Sequence, residues 1–173
     1  VYKRQVSYPE VTRHDKVEVT AENMRHPLID PSKVVPNGAA FKGGTTIITG
    51  SNMSGKTTFL RTLGINLILA YAGAPVCAEN MHADYMKIFT SMRVTDDVSN
   101  GISTFYAEIL RIKSMVEYKK NDMPMLCLID EIFKGTNSAD RIVGASQVIK
   151  KLSDDNSMTI VSTHDFELCD LKN

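Results

Sequence analysis

The chain has 173 residues, of which 20 are basic and 20 acidic, with 43% hydrophobic and 23% charged side chains. That length fits one domain with a real core, and the even charge balance gives no sign of a basic nucleic-acid clamp. The longest apolar stretch, Leu63 to Ala78, is interrupted by asparagine, glycine and proline and is too short to span a bilayer, so no membrane contact is expected through this segment.

Cys77, Cys127 and Cys169 lie far apart without metal-ligand spacing, which fits reduced thiols in a cytoplasmic protein. Val1 to Gln5 reads as a translated sequencing-adapter end and is set aside. The chain starts without methionine and stops abruptly at "LCDLKN", Leu168 to Asn173, so residues 6–173 are read as one domain of a larger protein.

In chain order, "KVEVT" alternates like a short strand, and "HPLIDPSKVVPNG" carries proline and turn signals. Thr45 to Thr49, "TTIIT", is a β-branched run of buried-strand type. From Lys56 the spacing becomes helical, with Phe59, Leu60, Leu63, Leu67 and Ala70 recurring at three and four residues until Gly73 and Pro75. "MKIFTSMRV" predicts a strand. "STFYAEILRIKSMVEY" predicts an amphipathic helix with Phe105, Ile109, Ile112 and Val116 on one stripe and Ser103 as N-cap. "MLCLID" predicts a buried strand, roughly Asp140 to Leu152 a helix, and "MTIVST" a final buried strand ending at His164. Strands alternating with helices predict a three-layer α/β domain with a mainly parallel central sheet flanked by helices. Lys119-Lys120 and Lys150-Lys151 read as solvated lysines at helix ends.

Three strand ends carry chemistry. Gly50, Gly55, Lys56 and Thr57 meet the spacing G-x-x-x-x-G-K-[ST], with a strand before and a helix after. Gly50 and Gly55 let the backbone of Ser51, Asn52, Met53 and Ser54 turn its N–H groups inward as a nest for phosphate oxygens. Lys56 then reaches the β- and γ-phosphates of ATP, and Thr57, followed by Thr58, begins a helix whose dipole favours the anion. In "LCLIDEI", Asp130 and Glu131 stand at the carboxyl edge of the sheet, where Asp130 and the Thr57 hydroxyl are suited to Mg2+ and Glu131 to the attacking water. His164 follows "MTIVST" and stands where it can sense the γ-phosphate. The plain alternatives are a chance glycine-rich turn, an acidic strand end opening a loop and an ordinary polar histidine. Together the three strand ends point to the ABC-type branch of phosphate-loop ATPases. Three more residues get structural readings: Tyr71 packing on the sheet, His82 on a loop surface, and Met53 filling a pocket beneath the phosphates. No second cation to face the γ-phosphate from the side opposite Lys56 is evident within the chain.

The order "GSNMSGKTTFLRTLGINLILAYAGAPVCAE", "DDVSNGISTFYAEI", "LIDEIFKGTNSADR", "TIVSTHDFEL" resembles the ATPase domain of the MutS family of DNA mismatch-repair proteins over nearly the whole chain after residue 22. The resemblance implies an ATP- and Mg2+-dependent engine that works as a dimer with a second copy or a homologous domain, with DNA bound through domains outside this chain. It also implies that Ser99 to Phe105, with Ser99, Gly101 and Ser103, reaches the partner's γ-phosphate, that Gly135 to Asp140 couples the two sites, and that Val34 to Asn37 lies near the adenine. Where MutS proteins commonly read GPNMGGKS and DEIGRGTST, this chain reads GSNMSGKT and DEIFKGTNS. Phe133-Lys134 and Asn137 resemble MutS-like ATPases without a mismatch-reading domain, some of them membrane-anchored. That engine, or a nucleotide-gated dimerisation module with little turnover, is the alternative reading.

Overall fold

The computed structural model describes residues 6–92, 104–133, 137–164 and 166–170. They form two four-stranded sheets rather than one. The first is all parallel and runs in the order β4 (Gly44–Thr49), β8 (Ser157–Thr163), β7 (Met125–Asp130), β6 (Lys87–Ser91). The second is mixed, in the order β1 (Glu10–Thr12), β5 (Asn80–Asp84), β2 (Glu18–Met24), β3 (Asn37–Lys42), with β1 parallel to β5 and the other pairs antiparallel.

The two central parallel strands, β7 and β8, are buried along nearly their whole length because both faces are covered. Alternate residues of β7 serve different layers: Leu126 and Leu128 join the core with α1 (Lys56–Tyr71), while Met125, Cys127 and Ile129 join the core with α2 (Thr104–Lys119) and α3 (Ser138–Leu152). Helices therefore flank the parallel sheet on both faces, as the sequence predicts. The mixed sheet adds Val19, Met24, Met81 and Ala83 to the α1-side core. Leu60, Leu63 and Leu67 of α1 are fully buried, each stabilising the fold by roughly 1.5–3 kcal/mol. Buried Asn66 holds the same helix in place, donating to the Arg25 carbonyl at 3.0 Å and accepting the Cys77 N–H at 2.8 Å.

Several expectations need correction. Phe105 is 37% exposed, and Met115 takes its share of the buried stripe of α2. Lys119 is not a solvated lysine: its side chain is 12% exposed and ion-paired with Asp154. His82 lies on β5 and not on a loop, whereas Tyr71 does pack at the sheet, its hydroxyl donating to the Asp84 carbonyl at 2.6 Å. Helix α3 starts at Ser138 because the Asn137 side chain accepts the Asp140 N–H at 2.9 Å. Cys77 and Cys127 are free thiols. Burial pushes the Cys127 thiol up to about 12, so it stays protonated. Among the described residues, no helix is long and apolar enough to cross a membrane.

Candidate active site

Parallel register aligns the carboxyl ends of the strands: Asp130 lies opposite Ser162, and Thr49 opposite Thr163. Ligands in such sheets bind outside this edge. The turn from β4 into α1 spans Gly50 to Gly55. Gly55 has φ 93°, which only glycine adopts without strain, and it is the N-cap of α1 with no side chain capping the helix. The first N–H groups of α1 thus have neither an intrahelical partner nor a cap, and the first turn carries no acid. A Cβ on Gly50 would meet the Ser54 hydroxyl at 3.0 Å, a close approach from which the Ser54 side chain would have to shift by a few tenths of an ångström.

Lys56 curls into this loop, donating to the carbonyls of Gly50 at 2.6 Å and Ser51 at 2.9 Å. Its ammonium is thereby fixed at the mouth of the turn. The Thr57 hydroxyl donates to Asp130 Oδ2 at 2.8 Å, and the Ser162 hydroxyl donates to Asp130 Oδ1. A hydroxyl and a carboxylate meeting at one point are the hard oxygen donors that Mg2+ prefers. Glu131 takes a left-handed backbone, φ 57°, held by its N–H on the Ser162 carbonyl at 2.9 Å. Phe133 repeats this at φ 56°, its N–H on Glu108 Oε1 at 2.5 Å and its ring against Phe105. Such conformations cost of order 1 kcal/mol or more in non-glycine residues and gather where side chains must be aimed. The Glu131 carboxylate lies 3.2 Å from His164 Nδ1.

These groups line one cleft of about 870 Å3, which holds Asn52 to Thr58 along with Asp130, Glu131 and His164. The residues fit a magnesium-nucleotide: an uncapped helix start and an ammonium for phosphate, paired oxygen donors for the ion, and a carboxylate beside them. Two expectations change. Met53, at φ 66°, is fully exposed on the rim and fills no pocket beneath the loop. A further cation, Arg61 on the second turn of α1, also lines the cleft, on the same helix as Lys56 and not on the side opposite it. Its place five residues after Lys56, on the same helix, was the available signal. Val34 to Asn37 leads into β3 and does not line the cleft. Ser99, Gly101, Ser103 and residues 134–136 lie outside the described residues.

Residues 46–173 match the family MutS domain V. The chain belongs to that family. It is 34% identical over 156 residues to the DNA mismatch repair protein MutS of Thermus aquaticus, which covers 89% of this chain and 19% of that protein. It is 32% identical over 166 residues to the DNA mismatch repair protein MutS of Streptococcus pyogenes serotype M5 (strain Manfredo), covering 91% of this chain and 19% of the relative. The chain thus spans 19% of the length of these relatives. Positive φ at Phe133 gives one departure from the common MutS pattern a physical sense. The glycine that pattern carries there suits this conformation without strain, while Phe133 is held by burial against α2 and Gly144 of α3.

Proposed function

We propose that this MutS domain V chain is the ATP-binding and ATP-hydrolysing engine of a mismatch-repair protein, a phosphate-loop domain of ABC type that works as a dimer. The observation that carries the reading is the convergence of Lys56, the Thr57–Asp130 pair and the Glu131–His164 pair in one cleft. Lys56 and the start of α1 hold the β- and γ-phosphates, and Thr57 with Asp130 holds Mg2+. The ion, when bound, neutralises charge that develops on the phosphate oxygens. Glu131 accepts the proton of a water whose oxygen bonds to the γ-phosphorus. The bond from that phosphorus to the β,γ-bridging oxygen breaks, giving ADP and inorganic phosphate. His164 orients the Glu131 carboxylate. Arg61 supplies positive charge at the rim. Ser99, Gly101 and Ser103 are the proposed contribution to a partner's site, and DNA is engaged through other domains of the full-length protein.

Calorimetry and turnover on two variants test this reading. Lys56→Ala should weaken ATP binding at least about tenfold, the equivalent of about 1.4 kcal/mol. Glu131→Gln should leave binding nearly intact and slow hydrolysis by about 100-fold or more, the scale of a lost general base. Parent-like ATP affinity in folded Lys56→Ala would overturn the site, and parent-like turnover in Glu131→Gln would remove Glu131 from its role.

A further inference from the structure

A second cluster of ligating side chains lies on the mixed sheet, built by strand periodicity. Glu10, Thr12 and His14 follow one another at intervals of two along β1 and just past its end, and His82 and Asp84 do so on β5. Parallel pairing sets Glu10 opposite His82 and Thr12 opposite Asp84, so the alternation that separates neighbours in sequence brings these five polar groups to one face. His14 Nδ1 lies 2.7 Å from Asp84 Oδ1, the Thr12 hydroxyl donates to the same oxygen at 2.8 Å, and His82 Nε2 lies 3.3 Å from that hydroxyl. One ligand atom from each of His14, His82 and Asp84 lies within 4.8 Å of the others.

We propose that His14, His82 and Asp84 form a site for a tetrahedral divalent transition metal, zinc by its ligand chemistry, that fastens edge strand β1 to β5. Three ligands of a tetrahedral ion with bonds of about 2.0–2.1 Å stand roughly 3.4 Å apart, so the three groups need move by less than about 1 Å. Two imidazoles and one carboxylate are the donors that zinc takes, whereas calcium and magnesium prefer oxygen alone. Water completes the tetrahedron. On binding, the ion takes the place of the proton between His14 Nδ1 and Asp84 Oδ1, and the neutral His14 imidazole carries its one proton on Nε2 instead.

The surroundings orient each ligand. Asp84 Oδ2 accepts the Glu18 N–H at 2.8 Å, which leaves Oδ1 facing the imidazoles. Glu10 Oε2 stands 3.6 Å from His82 Nδ1, on the far side of the ring from Nε2. A carboxylate behind an imidazole holds the proton on that nitrogen and turns the other lone pair toward the metal. The Asp84 side chain is 1% exposed, and a carboxylate so buried favours a cationic partner. His14, at 58%, leaves a route in from solvent.

The test is titration of zinc chloride into the full chain by calorimetry, with Co2+ as a spectroscopic stand-in. The parent should bind one zinc at this cluster, show the visible absorption of tetrahedral Co2+, and melt at a higher temperature with zinc than with a chelator. His14→Ala, at a position 58% exposed and so outside the core, should weaken zinc at least about tenfold and lose the melting shift. His82→Asn should do the same. His164→Ala, at the other histidine-carboxylate pair, should leave this binding unchanged. No zinc binding by the parent would overturn the proposal, because the cluster would then be only a hydrogen-bonded strand clasp. Equal affinity in folded His14→Ala and His82→Asn, or loss only in His164→Ala, would overturn it too.

Discussion

Each sheet has a strand whose last residue is an aspartate: Asp84 ends β5 and Asp130 ends β7. Asp84 is sealed in the mixed sheet, accepting hydrogen bonds from Thr12, His14 and the Glu18 N–H. Burial pushes its carboxyl upward, but those hydrogen bonds and the nearby imidazole outweigh it, leaving it below the ordinary carboxylate range. Asp130 instead faces the cleft, and its partners Thr57 and Ser162 come from the phosphate-loop helix and the neighbouring strand. The same residue at the same kind of position is thus tied to its own sheet in one case and turned to the ligand edge in the other. What differs is the source of the hydrogen-bond donors, which in turn follows from topology. Parallel strands end together with loops beyond them, whereas the edge ribbon of β1 and β5 folds its polar face onto itself.

The two aspartates can be exchanged as tests of this contrast. Asp130→Ala should lower ATP turnover by about 100-fold or more, since ion coordination supplies several kcal/mol of charge stabilisation, while the melting temperature changes little. Asp84→Asn should reverse the pattern. It leaves buried donors without a full acceptor and costs about 1–3 kcal/mol of stability, while ATP affinity per folded molecule is retained. Urea unfolding and turnover, measured on both variants, provide the check. If Asp84→Asn lost ATP binding while keeping its stability, the separation of roles would be wrong.

The parallel half was the legible one. "MLCLID" and "MTIVST" are buried along nearly their whole length because both faces of that sheet are covered, "TTIIT" is a β-branched run beside them, and the loop spacing from Gly50 to Thr57 marks the site. The mixed half was less so: "KVEVT" alternates and marks the start of β2, but its partners do not announce themselves. "NGAAFK" and "NMHAD" have little strand propensity, and β5 pairs with a segment some seventy residues upstream, Glu10 with His82, which no local pattern encodes. Within the site, the identity of Glu131 was readable but its left-handed backbone was not, because that conformation is imposed by the Ser162 carbonyl of another strand. Arg61 was hidden among helix-surface residues until α1 was set against the cleft.

The two halves meet at Gly43, between β3 and β4. Its N–H donates to the Val17 carbonyl at 2.8 Å, and the Val17 N–H donates to the Asp155 carbonyl at 3.1 Å. A Cβ on residue 43 would stand 2.7 Å from the Asp155 carbonyl carbon and 2.8 Å from its Cα. Backbone cannot rotate away as a side chain can, so Gly43→Ala should cost about 2–3 kcal/mol, in the range of overpacking. If the junction couples the sheets, hydrogen exchange should speed up in β2 and β4 together. Faster exchange in one sheet alone would show that they open independently.

The smallest effect is expected one residue before this contact. Asp154 holds the turn into β8, its Oδ1 accepting the Asn156 N–H at 3.0 Å and the Ser157 hydroxyl at 2.8 Å, while Lys119 pairs with Oδ2. Burial pushes its carboxyl upward, but the bonds and charge of Lys119, the Ser157 hydroxyl and the Asn156 N–H prevail and hold it below the ordinary value. The side chain is 43% exposed, so Asp154→Ala should cost only about 1 kcal/mol near neutral pH. The sign with pH follows from linkage. A carboxyl lowered in the folded state binds fewer protons there than in the unfolded chain, so its contribution is complete above the unfolded value of about 3.9. It disappears as pH falls through the folded value. The stability difference between parent and variant should therefore be constant from about pH 6 to 7 and shrink below about pH 4. A gap that widened in acid would mean that Asp154 is not the stabilising carboxylate of this turn.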